Sequence, residues 1–151
     1  MARNETYIDA PIASVWDVLC DPRLYANWVV GASSVHGVEG DWPALGSTLH
    51  HSQQIVVRDT TQVKLVDPPR RIVLEARARP LVIAEVDIRL TPEGEGTRLV
   101  IIEHAVGALG GAVPEALTDP LIHLRNIASV ARLKRLSEIG HQLGLDDHAT
   151  S

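Results

Sequence analysis

The stretch RIVLEARARPLVIAEVDIRLTPEGEGTRLVIIEH, residues 71–104, carries the alternation that decides the fold. Leu74, Ala76 and Ala78 alternate with Glu75, Arg77 and Arg79, and Ala84, Val86, Ile88 and Leu90 alternate with Glu85, Asp87 and Arg89. A period of two sends successive side chains to opposite faces of a strand, so one face of the sheet is aliphatic and the other charged.

Reading outward, strands are predicted near 32–39, 46–57, 59–67, 70–79, 82–91 and 97–106. They are divided by Asp41–Pro43, a break near Arg58, Asp67–Pro69, Pro80 and Glu93–Gly96. With no helix between them, they form an antiparallel meander. Upstream, residues 3–9 read as a strand, and Pro11 opens a short helix with the stripe Ile12, Val15, Trp16 and Leu19. Asp21–Pro22 repeats the start signal, so a second short helix should hold Leu24, Tyr25 and Trp28. Downstream, Gly107, Gly110 and Gly111 mark a lid-like connection, and Asp119–Pro120 starts a helix running to about Leu143. Leu121, Leu124, Ile127, Ala128, Ala131, Leu136 and Ile139 are its predicted apolar face. Arg125, Arg132, Lys134 and Arg135 complement the negative end of that helix. The fold is therefore α+β: a seven-stranded antiparallel curved sheet wrapped around a long C-terminal helix, with two short helices after the first strand.

At 151 residues and 45% apolar content the chain has bulk for one core. We expect one domain over residues 1–143 and a short flexible tail over 144–151. Three Trp, two Tyr and no Phe leave the interior to Val, Ile, Leu and Ala, an aliphatic load that excludes intrinsic disorder. Fourteen Lys and Arg against nineteen Asp and Glu give a net charge of −5, which argues against a nucleic-acid or anionic-membrane surface. Lone Cys20 makes no internal disulfide and reads as a small buried thiol. The N-terminus has no basic head followed by an apolar run, and no stretch reaches membrane-spanning length, so a cytoplasmic protein is expected.

Several segments together resemble the START-like, helix-grip superfamily (SRPBCC), and within it the bacterial polyketide cyclase/dehydrase and lipid-transport-like proteins. They are IDAPIASVWDVLCDPRLYANWVVG (8–31), DWPALGSTLHH (41–51), DPPRRIVLEARARP (67–80), GTRLVIIEH (96–104) and LIHLRNIASVARLKRL (121–136). The resemblance implies a helix-grip domain with a cavity between sheet and C-terminal helix. It also implies a small hydrophobic ligand, lipid-like or polyketide-like. Two other activities occur in the superfamily: an aromatase/cyclase that closes a poly-β-ketone by aldol condensation and dehydration, and a protein-partner module like the chaperone ATPase activators.

Within that frame the polar candidates are few. Glu103 shares the parity of Leu99 and Ile101, so it faces the helix and needs a partner. Arg125 is the candidate, either as a structural pair or as a contact for a ligand's anionic or carbonyl group. His51 falls inside by parity with Leu49, as a hydrogen-bonded core histidine or a proton donor to a ligand carbonyl. Its neighbour His50 points to the opposite face, so the two cannot share a metal. Asn126 either makes a polar contact or faces water. Trp28 and Trp42 either pack the helical corner onto the sheet or line the ligand site, with Leu121, Leu124 and Ala128 completing its wall. Candidate catalytic residues are Glu103, Arg125 and His51. No metal motif, phosphate loop or nucleophile elbow is present, so no cofactor or metal is expected. Monomer and homodimer both remain open.

Overall fold

The computed structural model describes the backbone of residues 2–29, 32–53, 57–78, 82–108 and 115–149. Within these it describes the side chains outside 32–34, 52–53, 57–58, 78, 82, 107–108, 115–122 and 145–149. The elements run β1 (Ala2–Ile8), α1 (Ile12–Cys20), α2 (Tyr25–Trp28), β2 (Ala32–Glu39), β3 (Thr48–Gln53), β4 (Val57–Asp67), β5 (Arg71–Ala78), β6 (Val82–Glu93), β7 (Gly96–Ala108) and α3 (Glu115–Ala149). One seven-stranded sheet has the order β1-β7-β6-β5-β4-β3-β2. All of its pairings are antiparallel, so β2 to β7 form the meander and β1 closes beside β7.

Period-two patterning sets the register. Ile72 lies opposite Ile88, which faces Ile101; Leu74 lies opposite Val86, which faces Glu103. A slip by one residue would exchange this aliphatic face for the charged one, which is why the register is strongly specified. The β6–β7 hairpin pairs Glu93 with Gly96 and turns at Gly94, whose φ of 58° lies in the left-handed region that glycine adopts without a Cβ clash. At Gly96 the constraint is space: a Cβ there would overlap the Tyr7 ring and the Ile8 carbonyl. On the outer face Asp87, only 8% exposed, lies between Arg71 and Arg89 and accepts hydrogen bonds from both. Burial alone would push its carboxyl up, but those hydrogen bonds and charges outweigh it and hold the group below the ordinary carboxylate range.

The core beneath the inner face is aliphatic, as the composition demands: Ile8, Val15, Leu19, Leu49, Val63, Ile72, Ile88, Leu99 and Leu133 are all within 4% exposure. In α1, Val15 and Leu19 are buried while Ile12 and Trp16 are partly buried against the same core. Cys20 is buried, and that burial pushes its thiol up to about 12.

The structure corrects the reading of the helices. Asp21–Pro22 does not start a helix: the Asp21 carboxylate accepts from the Arg23 backbone N–H and its guanidinium, forming a turn, and α2 begins at Tyr25. The long helix begins at Glu115, so Pro120 lies inside it, and it continues past Leu143 to Ala149. Arg125, Arg132, Lys134 and Arg135 are consequently mid-helix, and the macrodipole account of them fails.

The buried face of α3 also differs from prediction. Asn126, Ser129, Val130, Leu133 and Ser137 turn inward, whereas Leu124 is 67% exposed and Ile127 and Ile139 about half. Ala131 is exposed, Ala128 half-buried, Leu136 packs partly against the core, and the Leu121 side chain lies outside the described residues. Polar anchoring explains this rotation. Asn126 donates to Glu103 and Lys134 donates to the Tyr7 carbonyl, tying α3 to β7 and β1, while Ser137 can face inward because it donates to the Leu133 carbonyl of its own helix. The strands expected on either side of Arg58 are β3 and β4; Arg58 itself lies in β4, paired with Ser52, and the connection over 54–56 lies outside the described residues. Gly107 belongs to β7, and Gly110, Gly111 and Pro80 lie outside the described residues.

Candidate functional site

Between the concave sheet and α3 lies a cavity of about 60 Å³. Its wall is apolar over Trp28, Val29, Leu74, Ala76, Val86, Ile88 and Ile101. Polar side chains converge from two directions: Tyr25, His51 and Thr61 from α2, β3 and β4, and Glu103, Arg125, Asn126 and Ser129 from β7 and α3.

Strand parity delivers Glu103 to this space. It is 2% exposed, and both carboxylate oxygens are engaged: Arg125 Nη2 donates to Oε1, and Asn126 Nδ2 donates to Oε2 at 2.9 Å. Such a buried carboxylate is tolerable only with charge and hydrogen bonds supplied, and α3 supplies both from adjacent positions. The Arg125 side chain keeps 36% of its surface exposed, so the pair is half in water on that side.

The second polar group is a chain. The Tyr25 hydroxyl lies 2.8 Å from Thr61 Oγ1, which lies 3.0 Å from His51 Nε2. One hydroxyl hydrogen per oxygen decides its polarity. If Tyr25 donates to Thr61 and Thr61 donates to His51 Nε2, only the His51 Nδ1–H is left without a partner. In the reverse sense the Tyr25 O–H and the bare Nδ1 are both left. The first arrangement loses less, because each orphaned buried polar group costs about 1–3 kcal/mol. Burial holds the His51 imidazole below its ordinary range; Asp59 opposes this, and His36 and His50 add to it. The ring is therefore neutral. Burial likewise pushes the Tyr25 phenol up to about 12, keeping its proton for Thr61.

Of the residues singled out from the sequence, Trp28, His51, Glu103 and Arg125 come together here, with Asn126 as a direct partner of Glu103. Trp42 is partly buried against the core but does not line the cavity. Leu124 points to solvent and Ala128 is half-buried outside the lining. Tyr25 and Thr61 were missed as site residues. The readable signal was parity in β4, where Asp59, Thr61 and Val63 share the buried face. Among the described residues, no three His, Cys, Asp or Glu side chains group so as to hold a metal ion. No described helix is long and apolar enough to cross a membrane.

Comparison with known proteins agrees with this architecture. The family model described as polyketide cyclase / dehydrase and lipid transport matches residues 2–138. The chain belongs to this family. Its fold is the helix-grip fold of the START-like superfamily, as the resemblance implied. No curated protein sequence matches. Among solved structures, protein CV1439 from Chromobacterium violaceum is similar with a TM-score of 0.69 and 21% identity, covering 90% of this chain and 95% of that one. DynU16, from the dynemicin biosynthetic locus, also has a TM-score of 0.69 and 21% identity; it covers 93% of this chain, which spans only 48% of DynU16. Ara h 8.0201 has a TM-score of 0.68 at 10% identity, covering 89% of this chain and 95% of that one. At these identities the structural likenesses establish the fold alone.

Proposed function

We propose that the protein binds a small hydrophobic molecule between its sheet and α3, burying an apolar body against Trp28, Val29, Leu74, Val86 and Ile101. The observation that carries this reading is the cavity: an apolar wall with a few convergent polar groups is how proteins hold small ligands. Family membership supports the same general activity. A lipid-like or polyketide-like ligand is the finer form of the proposal.

Size sets a condition. A cavity of roughly 150 Å³ holds a benzene ring, and the space between the described side chains is about 60 Å³. A larger ligand therefore needs the walls of this space to part, and the Glu103 hydrogen bonds resist any parting of α3 from the sheet.

Binding is favoured over aromatase/cyclase turnover because Glu103 already accepts from two donors and so is poorly placed to abstract a proton. Native mass spectrometry of the purified protein, before and after denaturation, tests the reading together with thermal-shift titration of medium-chain apolar probes. Co-purification of a small molecule, or a rise in Tm that grows with probe concentration, is the expected result. Neither effect across the probe set would overturn it.

A further inference from the structure

The polar groups facing the cavity are unevenly divided between donors and acceptors. Trp28 and His51 are each 4% exposed, and both line the cavity. Trp28 Nε1 and His51 Nδ1 are buried and have no hydrogen-bond partner among the described residues, and Arg125 Nε shares that state. Trp28 Nε1 and Arg125 Nε carry hydrogens by their chemistry, and His51 Nδ1 carries one by the Tyr25–Thr61–His51 hydrogen-bond sense derived above. The rings of Trp28 and His51 both pack against Tyr25, at centroid distances of 5.9 and 5.1 Å, so both residues flank the same side chain of the cavity wall. On the acceptor side, Glu103 is already held by Arg125 and Asn126, and its charge cancels that of Arg125.

We infer that the site selects molecules whose polar group is an uncharged hydrogen-bond acceptor, a ketone or ester carbonyl, held by the N–H groups of Trp28 and His51. This rests on the binding reading above and names the chemical class of its ligand. A carbonyl oxygen has two lone pairs and no hydrogen, so it satisfies the orphaned donors and leaves no new group unpaired. A carboxylate of the same chain length brings a net negative charge into a space where Arg125, the one cationic side chain lining it among the described residues, is already paired with Glu103, so its desolvation is poorly compensated.

The test compares nonan-2-one, labelled with ¹³C at its carbonyl, with nonanoate at neutral pH, using wild type, Trp28→Phe and His51→Phe. The ketone should bind with a downfield carbonyl shift, and nonanoate should bind more weakly by on the order of tenfold. Each substitution removes one donor and keeps a ring; it should weaken the ketone by on the order of tenfold and reduce the shift. Equal or tighter binding of nonanoate to wild type overturns the inference, and that comparison needs no variant. So does ketone affinity unchanged in both folded variants. Binding of neither probe overturns the underlying binding proposal instead.

Discussion

The two halves of the α3–sheet interface are held by different physics. Toward the C-terminal half, Val130, Leu133 and Leu136 press into the aliphatic core, and Leu133 is fully buried. Toward the N-terminal half, Arg125 and Asn126 reach a buried carboxylate, and the cavity lies beside them. Apolar packing is non-directional and cumulative, so it anchors. A polar clasp is directional, and water can replace part of it when it opens. The cavity lies at the end held by the directional contacts.

The largest test of this contrast is Leu133→Ala. Deleting a fully buried leucine side chain should cost about 2–5 kcal/mol in denaturant unfolding; a loss below about 1 kcal/mol would show that this half is not the anchor. Glu103→Leu comes next and orphans Arg125 and Asn126. It should cost about 1–3 kcal/mol, less than a fully buried pair because Arg125 is partly in water. Adding Arg125→Met should recover part of that loss, and a double-mutant cycle that shows no coupling would mean the clasp is not a unit.

Titration separates the halves further. His51 is held below its ordinary pKa of 6.5, so the unfolded chain takes up its proton first and stability falls as pH drops below about 6.5. His51→Phe should flatten that part of the urea-midpoint profile. Cys20 and Tyr25, each pushed up to about 12, lose protons more readily when unfolded, so stability falls as pH rises from about 9 and 10 upward. The Cys20 part should disappear in Cys20→Ala; an identical alkaline limb in that variant would contradict the assignment. The smallest effect belongs to the outer face, where Arg77 pairs with Glu75 in the open: Arg77→Ala should move stability by no more than about 0.5 kcal/mol.

Strand parity made much of this legible in the sequence. The alternation through residues 71–104 specified the meander, its inner face, and the placement of Glu103 beside Leu99 and Ile101. Parity with Leu49 likewise sent His51 inside. The helix was less legible, since Leu124, Ile127, Val130, Leu133, Leu136 and Ile139 leave no single apolar stripe. Trp42 and Leu124 fit a cavity wall by residue type, yet neither lines it.

What the sequence alone determined is whatever follows from a period of two: which residues are strands, how they pair, and which side chains face inward. Tertiary structure decided the rotation of α3, which of its side chains meet Glu103, and the joining of Tyr25, Thr61 and His51 from three separate elements. The physical reason is that a strand has only two faces, so alternation is enough to choose between them. A helix with apolar residues all around is oriented by the partners it meets, and those are brought to it only by the folded chain.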